Sequence, residues 1–363
     1  MCYHLIIRIF ICNWLVNHIL KLLIGLFASL IGALIAEKLR IPLPWTLGPL
    51  LVIAALRLCS IPVNSSTLLR NTGQWIIGLS LGLYFTSKVV AVISSHWLAM
   101  LAGLIFALLL GLYGTFLLSR FGKVDIKTAW FSSAIGGANE MTVLAERFGV
   151  RADLVASAHT IRVVLVVLAI PFACDVLNVR GIDVSLLEQQ NFELTGLIQI
   201  AILSAIGGTV AHYFGISNAW VLGPMFVVMG FTMSDVHFST IPVEFSKAAQ
   251  LFIGWSLGDK FRPGFFKKSP KFLSTVVVFT FTSMLLALGF ALLLASTTDL
   301  ALSTLAVSVA PGGIAEMAIT AKVLQLGVPF VAAFQVSRMV GVVLLTGPIY
   351  VYGIEKFCSK FKK

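Results

Sequence analysis

Two carboxylates and two guanidinium groups stand inside apolar stretches of this 363-residue sequence at matched distances. They are Glu140 with Arg162 in the first half and Glu316 with Arg338 in the second, each Arg 22 residues after its Glu. An ionisable group in such surroundings is costly, so positions of this kind mark an ion pair, a proton relay or the path of a charged solute. Each Arg can pair with a Glu, or its planar fork can grip an anionic solute bidentately. Paired glycines precede both carboxylates, Gly136-Gly137 in GGANEM (with Asn139) and Gly312-Gly313 in GGIAEM. Glycine pairs permit an unwound backbone whose free N–H and C=O groups can meet an ion, although close packing of helices in lipid asks for the same residues.

Other polar residues accompany these four. His159 and Gln335 each stand three residues before an Arg and share its helix face. A histidine there titrates near neutral pH or packs as a satisfied polar group. Gln74 and Gln250, each four residues before a Gly, line a cavity or bridge two helices. His4, His18, His96, His159, His212 and His237 are dispersed, and the five cysteines show no paired spacing, so no metal site, cofactor or disulfide framework is expected. No nucleotide-binding loop or hydrolase motif occurs, and the chain reads as a non-enzyme.

The elements that position these groups are set by composition. The sequence is 58% hydrophobic and 11% charged, with a mean hydropathy of +0.99, against about 25% charged residues in soluble domains. Apolar runs near the spanning length of about 20 residues recur throughout. They lack period-2 alternation, which selects helices over a barrel. The formal charge of +11 reads as loops on the cytoplasmic side, not as a nucleic-acid surface. The expected partners are the lipid bilayer and a small-molecule or ion ligand, with no nucleic acid; a homodimer is compatible with the sequence. The expected location is the inner membrane, with several passes.

A shift of about 175 residues superimposes the two halves. Trp45, Leu47, Gly48 and Pro49 fall on Trp220, Leu222, Gly223 and Pro224, and Gln74, Gly78, Ser80 and Gly82 fall on Gln250, Gly254, Ser256 and Gly258. The glycine pairs and the arginines follow in the same register. Corresponding loops carry opposite charge. Lys88 stands alone after the third element of half one, where half two has Lys260, Arg262, Lys267, Lys268 and Lys271; Arg120, Lys123 and Lys127 after the fourth face only Asp299. The positive-inside rule then makes the halves upside down relative to one another. With six apolar elements per half, inversion requires one that does not cross, and the Gly-Gly element is the first choice. Ten spans result, placing 18 of the 26 Lys and Arg inside.

The expected organisation is a 1–20 apolar or interfacial segment, membrane repeat 21–177, linker 178–195, membrane repeat 196–353 and a basic tail 354–363. The fold is an all-α membrane protein of about 10–12 helical elements in two inverted-topology repeats with broken or re-entrant Gly-Gly segments, an architecture shared by many secondary transporters.

The strings LGP, SAIGGANEM, SVAPGGIAEM, QVSR and LLTGP (Leu344–Pro348) resemble those of the membrane protein AbrB family, and the resemblance covers 21–353. It implies a duplicated membrane domain, roles described as regulation of gene expression or as ammonia-monooxygenase-like, and kinship with the cation/proton antiporter and anion transporter superfamily. There two broken helices, one per repeat, cross at mid-membrane, and some other element then fails to span. A secondary transporter of a small solute is the leading expectation. A membrane-embedded regulator stands second and a membrane enzyme subunit third.

Overall fold

The computed structural model describes residues 2–177, 192–236, 238–261, 263–265 and 269–355, with side chains from 19 to 354. The linker 178–195 and the basic tail therefore fall largely outside the described residues. The chain is an all-α membrane protein. Its helices are α1 (Cys2–Lys38), α2 (Pro44–Leu58), α3 (Thr67–Gly82), α4 (Ser87–Ser95), α5 (Trp97–Phe121), α6 (Ile126–Ser133), α7 (Ala138–Arg147) and α8 (Ala152–Val176). They continue as α9 (Leu194–Tyr213), α10 (Ala219–Met233), α11 (Val243–Gly258), α12 (Pro270–Ala295), α13 (Leu302–Val309), α14 (Ile314–Val323) and α15 (Val328–Ile349), which runs into a π-helical turn, Tyr350–Glu355.

Among the described residues, six segments are long and apolar enough to cross a membrane: 19–38 of α1, α5, α8, α9, α12 and 328–354 of α15 with its π-turn. Their side chains are sorted by lipid rather than water. In α5, Leu101, Ile105, Leu109, Leu112 and Phe116 point outward while Gly103, Ala107, Gly111 and Gly114 are buried. This is the pattern expected where helices associate through small residues and leave large apolar ones to the acyl chains.

The elements depart from the sequence expectation in two places. The apolar N-terminal segment is continuous with the first span, because α1 runs unbroken from Cys2 to Lys38. The third element of half one ends at Gly82 and turns by 88° into the short α4, whose Thr86 cap accepts from the Val89 amide at 3.4 Å. The fifth element of each half is broken at its Gly-Gly pair, as expected, into two helices of 8 and 10 residues, α6–α7 and α13–α14. An eight-residue helix rises about 12 Å, well short of the ~30 Å hydrocarbon layer.

The chain forms two compact units. The first comprises Met1–Ile76 and Pro242–Phe265, the second Ile77–Ile241 and Phe266–Lys363. In the first, α1 packs on α2 where Gly32 meets Gly48; a Cβ on Gly32 would stand 2.7 Å from the Gly48 carbonyl oxygen. Helix α11 lies across α2, with Gly254 against the Thr46 carbonyl and Gly258 against that of Leu50. In the second unit α9 meets α10 at Gly207 and Gly223, and the end of α3 lies across α10, with Gly78 against the Val221 carbonyl and Gly82 against that of Met225. Thr46 and Val221 are equivalent under the 175-residue shift, as are Leu50 and Met225. One contact thus occurs twice, each time joining the second helix of one half to the third helix of the other. The rest of the second unit surrounds the interrupted pairs, with Trp130, Phe131 and Tyr350 in its core.

Candidate functional site

Helix α6 starts at Asp125, whose carboxylate accepts from the Thr128 amide at 3.0 Å, and stops at Ala134. Helix α7 begins after Gly137, leaving residues 134–137 unwound; α13 stops at Ala310 and α14 begins after Gly313. Pro311 precedes the second glycine pair where Ile135 precedes the first, yet both breaks open, so proline is not what opens them. A helix that ends inside apolar surroundings leaves carbonyl groups with no water to meet them.

The two arginines meet them. From α8, Arg162 donates through Nη1 to the carbonyls of Ala134 (2.9 Å) and Ser133 (3.5 Å), and through Nη2 to that of Gly136 (3.3 Å). From α15, Arg338 donates through Nη1 to the Ala310 carbonyl and through Nη2 to that of Gly312 at 2.9 Å. Both side chains are buried, at 3% and 6% exposure. The desolvation this entails is offset by charged hydrogen bonds and by the partial negative charge at a helix C-terminus. The Nε of each remains without a hydrogen-bond partner. Pairing of these arginines with Glu140 and Glu316 was one sequence-based alternative. It is corrected: neither arginine lies within 4 Å of a carboxylate among the described residues.

His159 and Gln335 complete the two brackets. The Nε2 of His159 lies 2.9 Å from the Phe131 carbonyl and its Nδ1 lies 2.9 Å from Nη2 of Arg162. Gln335 donates through Nε2 to the carbonyls of Val307, Ser308 and Ala310 at 3.1–3.2 Å and accepts from Arg338 through Oε1. A carbonyl cannot donate and a guanidinium cannot accept. The network therefore calls for a neutral His159 with its proton on Nε2, the tautomer that mimics an amide.

The carboxylates stand at the opposite ends. Gly137 and Gly313 are the N-caps of α7 and α14 and bring no side chain to the free amides; Glu140 and Glu316 occupy the third helical position. Each folds back over its glycine, so that a Cβ on Gly137 or Gly313 would overlap the carboxylate. A carboxylate in the first turn stands where negative charge meets the positive end of the helix dipole. The next residues, Met141 and Met317, are fully buried beneath the first glycine of each pair, where a Cβ would stand 2.9 Å from Met141 Cε and 2.7 Å from Met317 Cγ.

Asn139 is exposed on the first turn of α7. Gln74 and Gln250, half-buried and buried, belong to the first unit on α3 and α11. Sequence reasoning missed Lys322, whose ammonium group on α14 donates to Ser80 Oγ at 2.7 Å; its signal was a lysine within an apolar element and a serine in a repeated string. A 310 Å³ apolar cavity lined by Ile170, Cys174, Met284, Leu302, Ala310 and Pro311 abuts the second break. No group of three His, Cys, Asp or Glu that could hold a metal occurs among the described residues.

The interrupted helices are joined by a family match that spans both halves: the model described as "AbrB: Transition state regulatory protein AbrB" matches residues 53–352. The chain belongs to the AbrB family. Among AbrB relatives, "Uncharacterized protein YhjN" of Bacillus subtilis (strain 168) is 28% identical over 364 residues, covering 92% of this chain and 93% of the relative. "Putative regulator AbrB" of Escherichia coli (strain K12) is 23% identical over 326 residues, covering 88% and 92%. No solved structure matches the chain.

Proposed function

We propose that this AbrB-family chain is a secondary transporter of a small solute, coupled to an ion or to protons, with its path at the two interrupted helices. The observation that carries the reading is the matched pair of breaks. Each interrupts an otherwise apolar element, and at each an arginine meets the carbonyl end while a glutamate stands in the first turn of the half-helix that follows. Irregular backbone at membrane depth is tolerated where protein buries it or where it lines an aqueous path, and paired half-helices of this kind are where inverted-repeat transporters bind solute and ion. Glu140 and Glu316 are the groups to carry a coupling proton, with Asn139 and Lys322 as polar neighbours on the same half-helices.

The inverted duplication belongs to this reading. Its support is the reciprocal packing of α2 with α11 and of α3 with α10, and the recurrence, 176 residues apart, of the arginine hydrogen bonds to Ala134 and Gly136 at Ala310 and Gly312. Placement in the inner membrane rests on the positive-inside count. The printed name of the Escherichia coli relative favours a second reading, a membrane-embedded regulator that binds the same solute. Proteoliposomes loaded in turn with labelled anions, cations and amines separate the two. A transporter gives saturable, protein-dependent flux of at least one solute; a regulator binds a solute without moving it.

A further inference from the structure

The first unit contains a polar pocket that the transport reading does not use. Its volume is 200 Å³, and it is lined by Ser65, Thr67, Arg70, Ser256, Asp259 and Lys260. Asp259, its carboxylate, is already committed: Oδ1 lies 3.0 Å from Nε of Arg57, and Oδ2 accepts from the Ser65 amide at 3.0 Å and from Ser65 Oγ at 2.8 Å. Arg70 is not. Its Nη2 reaches the Asn71 amide oxygen at a long 3.5 Å, its Nε is buried without a partner, and no carboxylate lies within 4 Å of it among the described residues.

The pocket therefore offers an incoming ligand the guanidinium fork of Arg70, in a lining completed by Lys260, Thr67 and Ser256, while its one carboxylate is turned to Arg57 and Ser65. That donor set excludes a cation and suits an oxyanion, which a guanidinium can meet with two parallel hydrogen bonds. The duplication sharpens the point. A shift of 176 residues carries Asp259, Lys260 and Arg70 onto Leu83, Tyr84 and Ser246, so the halves share the helices but not these charges. Packing alone would not call for them in one half. The positive-inside assignment puts this face in the cytoplasm, where phosphate esters and anionic lipid headgroups are both at hand.

We infer that this pocket is a binding site for a phosphate-type oxyanion, supplied by a soluble phosphate or by a lipid headgroup, and separate from the interrupted helices. The test uses the full chain in non-ionic detergent, titrated with inorganic phosphate at constant ionic strength and read by thermal unfolding. In parallel, the chain in nanodiscs of phosphatidylglycerol or phosphatidylcholine is examined by native mass spectrometry for retained lipid. Arg70→Gln and Lys260→Gln are compared with Lys88→Gln on α4. A saturable phosphate stabilisation, weakened at least ten-fold in the two pocket variants and unchanged in Lys88→Gln, supports a soluble ligand. Silence towards phosphate, with phosphatidylglycerol retained by the wild type and by Lys88→Gln but lost from either pocket variant, supports a headgroup. Equal behaviour of all variants towards both probes overturns the inference, and Lys260→Gln keeps the test open should Arg70→Gln fail to fold.

Discussion

Arg338 on α15 donates to the carbonyl of Gly312 at 2.9 Å, in the break between α13 and α14. Arg162 makes the same bond to Gly136 in the other half. These bonds give the arginines a role that no glutamate partner shares, and several expected outcomes depend on it.

Arg162→Gln and Arg338→Gln are each expected to destabilise the protein by roughly 3 kcal/mol or more, since two or three buried carbonyls are left unmet at about 1–3 kcal/mol apiece. Adding Glu140→Gln or Glu316→Gln is not expected to restore stability, because the charges sit on opposite helix ends and do not form a pair. Thermal unfolding of single and double variants in detergent checks this, and recovery in a double variant would contradict it.

His159→Gln is expected to be near neutral in stability and to leave the pH dependence of activity unchanged, because Gln335 already does the same work in the second half. His159→Leu is expected to cost about 1–3 kcal/mol by stranding the Phe131 carbonyl and one arginine donor. A pH profile displaced by His159→Gln would show that the imidazole titrates in function.

The glycines are expected to rank by what a methyl group meets. At Gly137 and Gly313 it meets a carboxylate that can swing aside, so alanine there costs no more than the charge–dipole contact, about 0.3–1 kcal/mol. At Gly78 and Gly254 it meets the backbone carbonyls of Val221 and Thr46, which cannot move without separating two helices, so alanine there is expected to cost more. Melting temperatures of the four variants, measured side by side, give the order.

Single cysteines at Lys123 and Lys260 are expected to react from the cytoplasmic side, and those at Ser87 and Thr298 from the opposite side. The Ser65–Asp259 bond already requires the α2–α3 loop and the end of α11 to share a face within the first unit, as the charge count demands. Lys123 and Lys260 on opposite sides would mean parallel repeats.

The two breaks were legible because glycine pairs, a carboxylate and an arginine recur at fixed spacing. Residue type announced an interruption and a charge to stabilise it. What the arginines hold was not legible: 22 residues separate Glu140 from Arg162, and that distance says nothing about whether the returning helix offers its guanidinium to the amide end or to the carbonyl end. The place of Glu140 was nearer the surface of the sequence, since a carboxylate soon after a helix break suits the positive end of the helix that follows. Lys322–Ser80 and Arg57–Asp259 join residues 242 and 202 positions apart, and a single sequence carries no signal for contacts so distant. The packing of α11 on α2 was equally hidden, although Gly254 and Thr46 both lie in the repeated strings.

The central claim is that the unwound backbone before α7 faces a path open to water and solute, and the accessibility of its first turn tests it most directly. In a cysteine-free background, Asn139→Cys in proteoliposomes is treated with a membrane-impermeant thiol reagent from each side, with and without the solutes that give flux. The expected result is labelling from at least one side, slowed by a transported solute. A thiol that reacts from neither side, in a protein that still folds and carries flux, would contradict the account and reduce the breaks to a packing device.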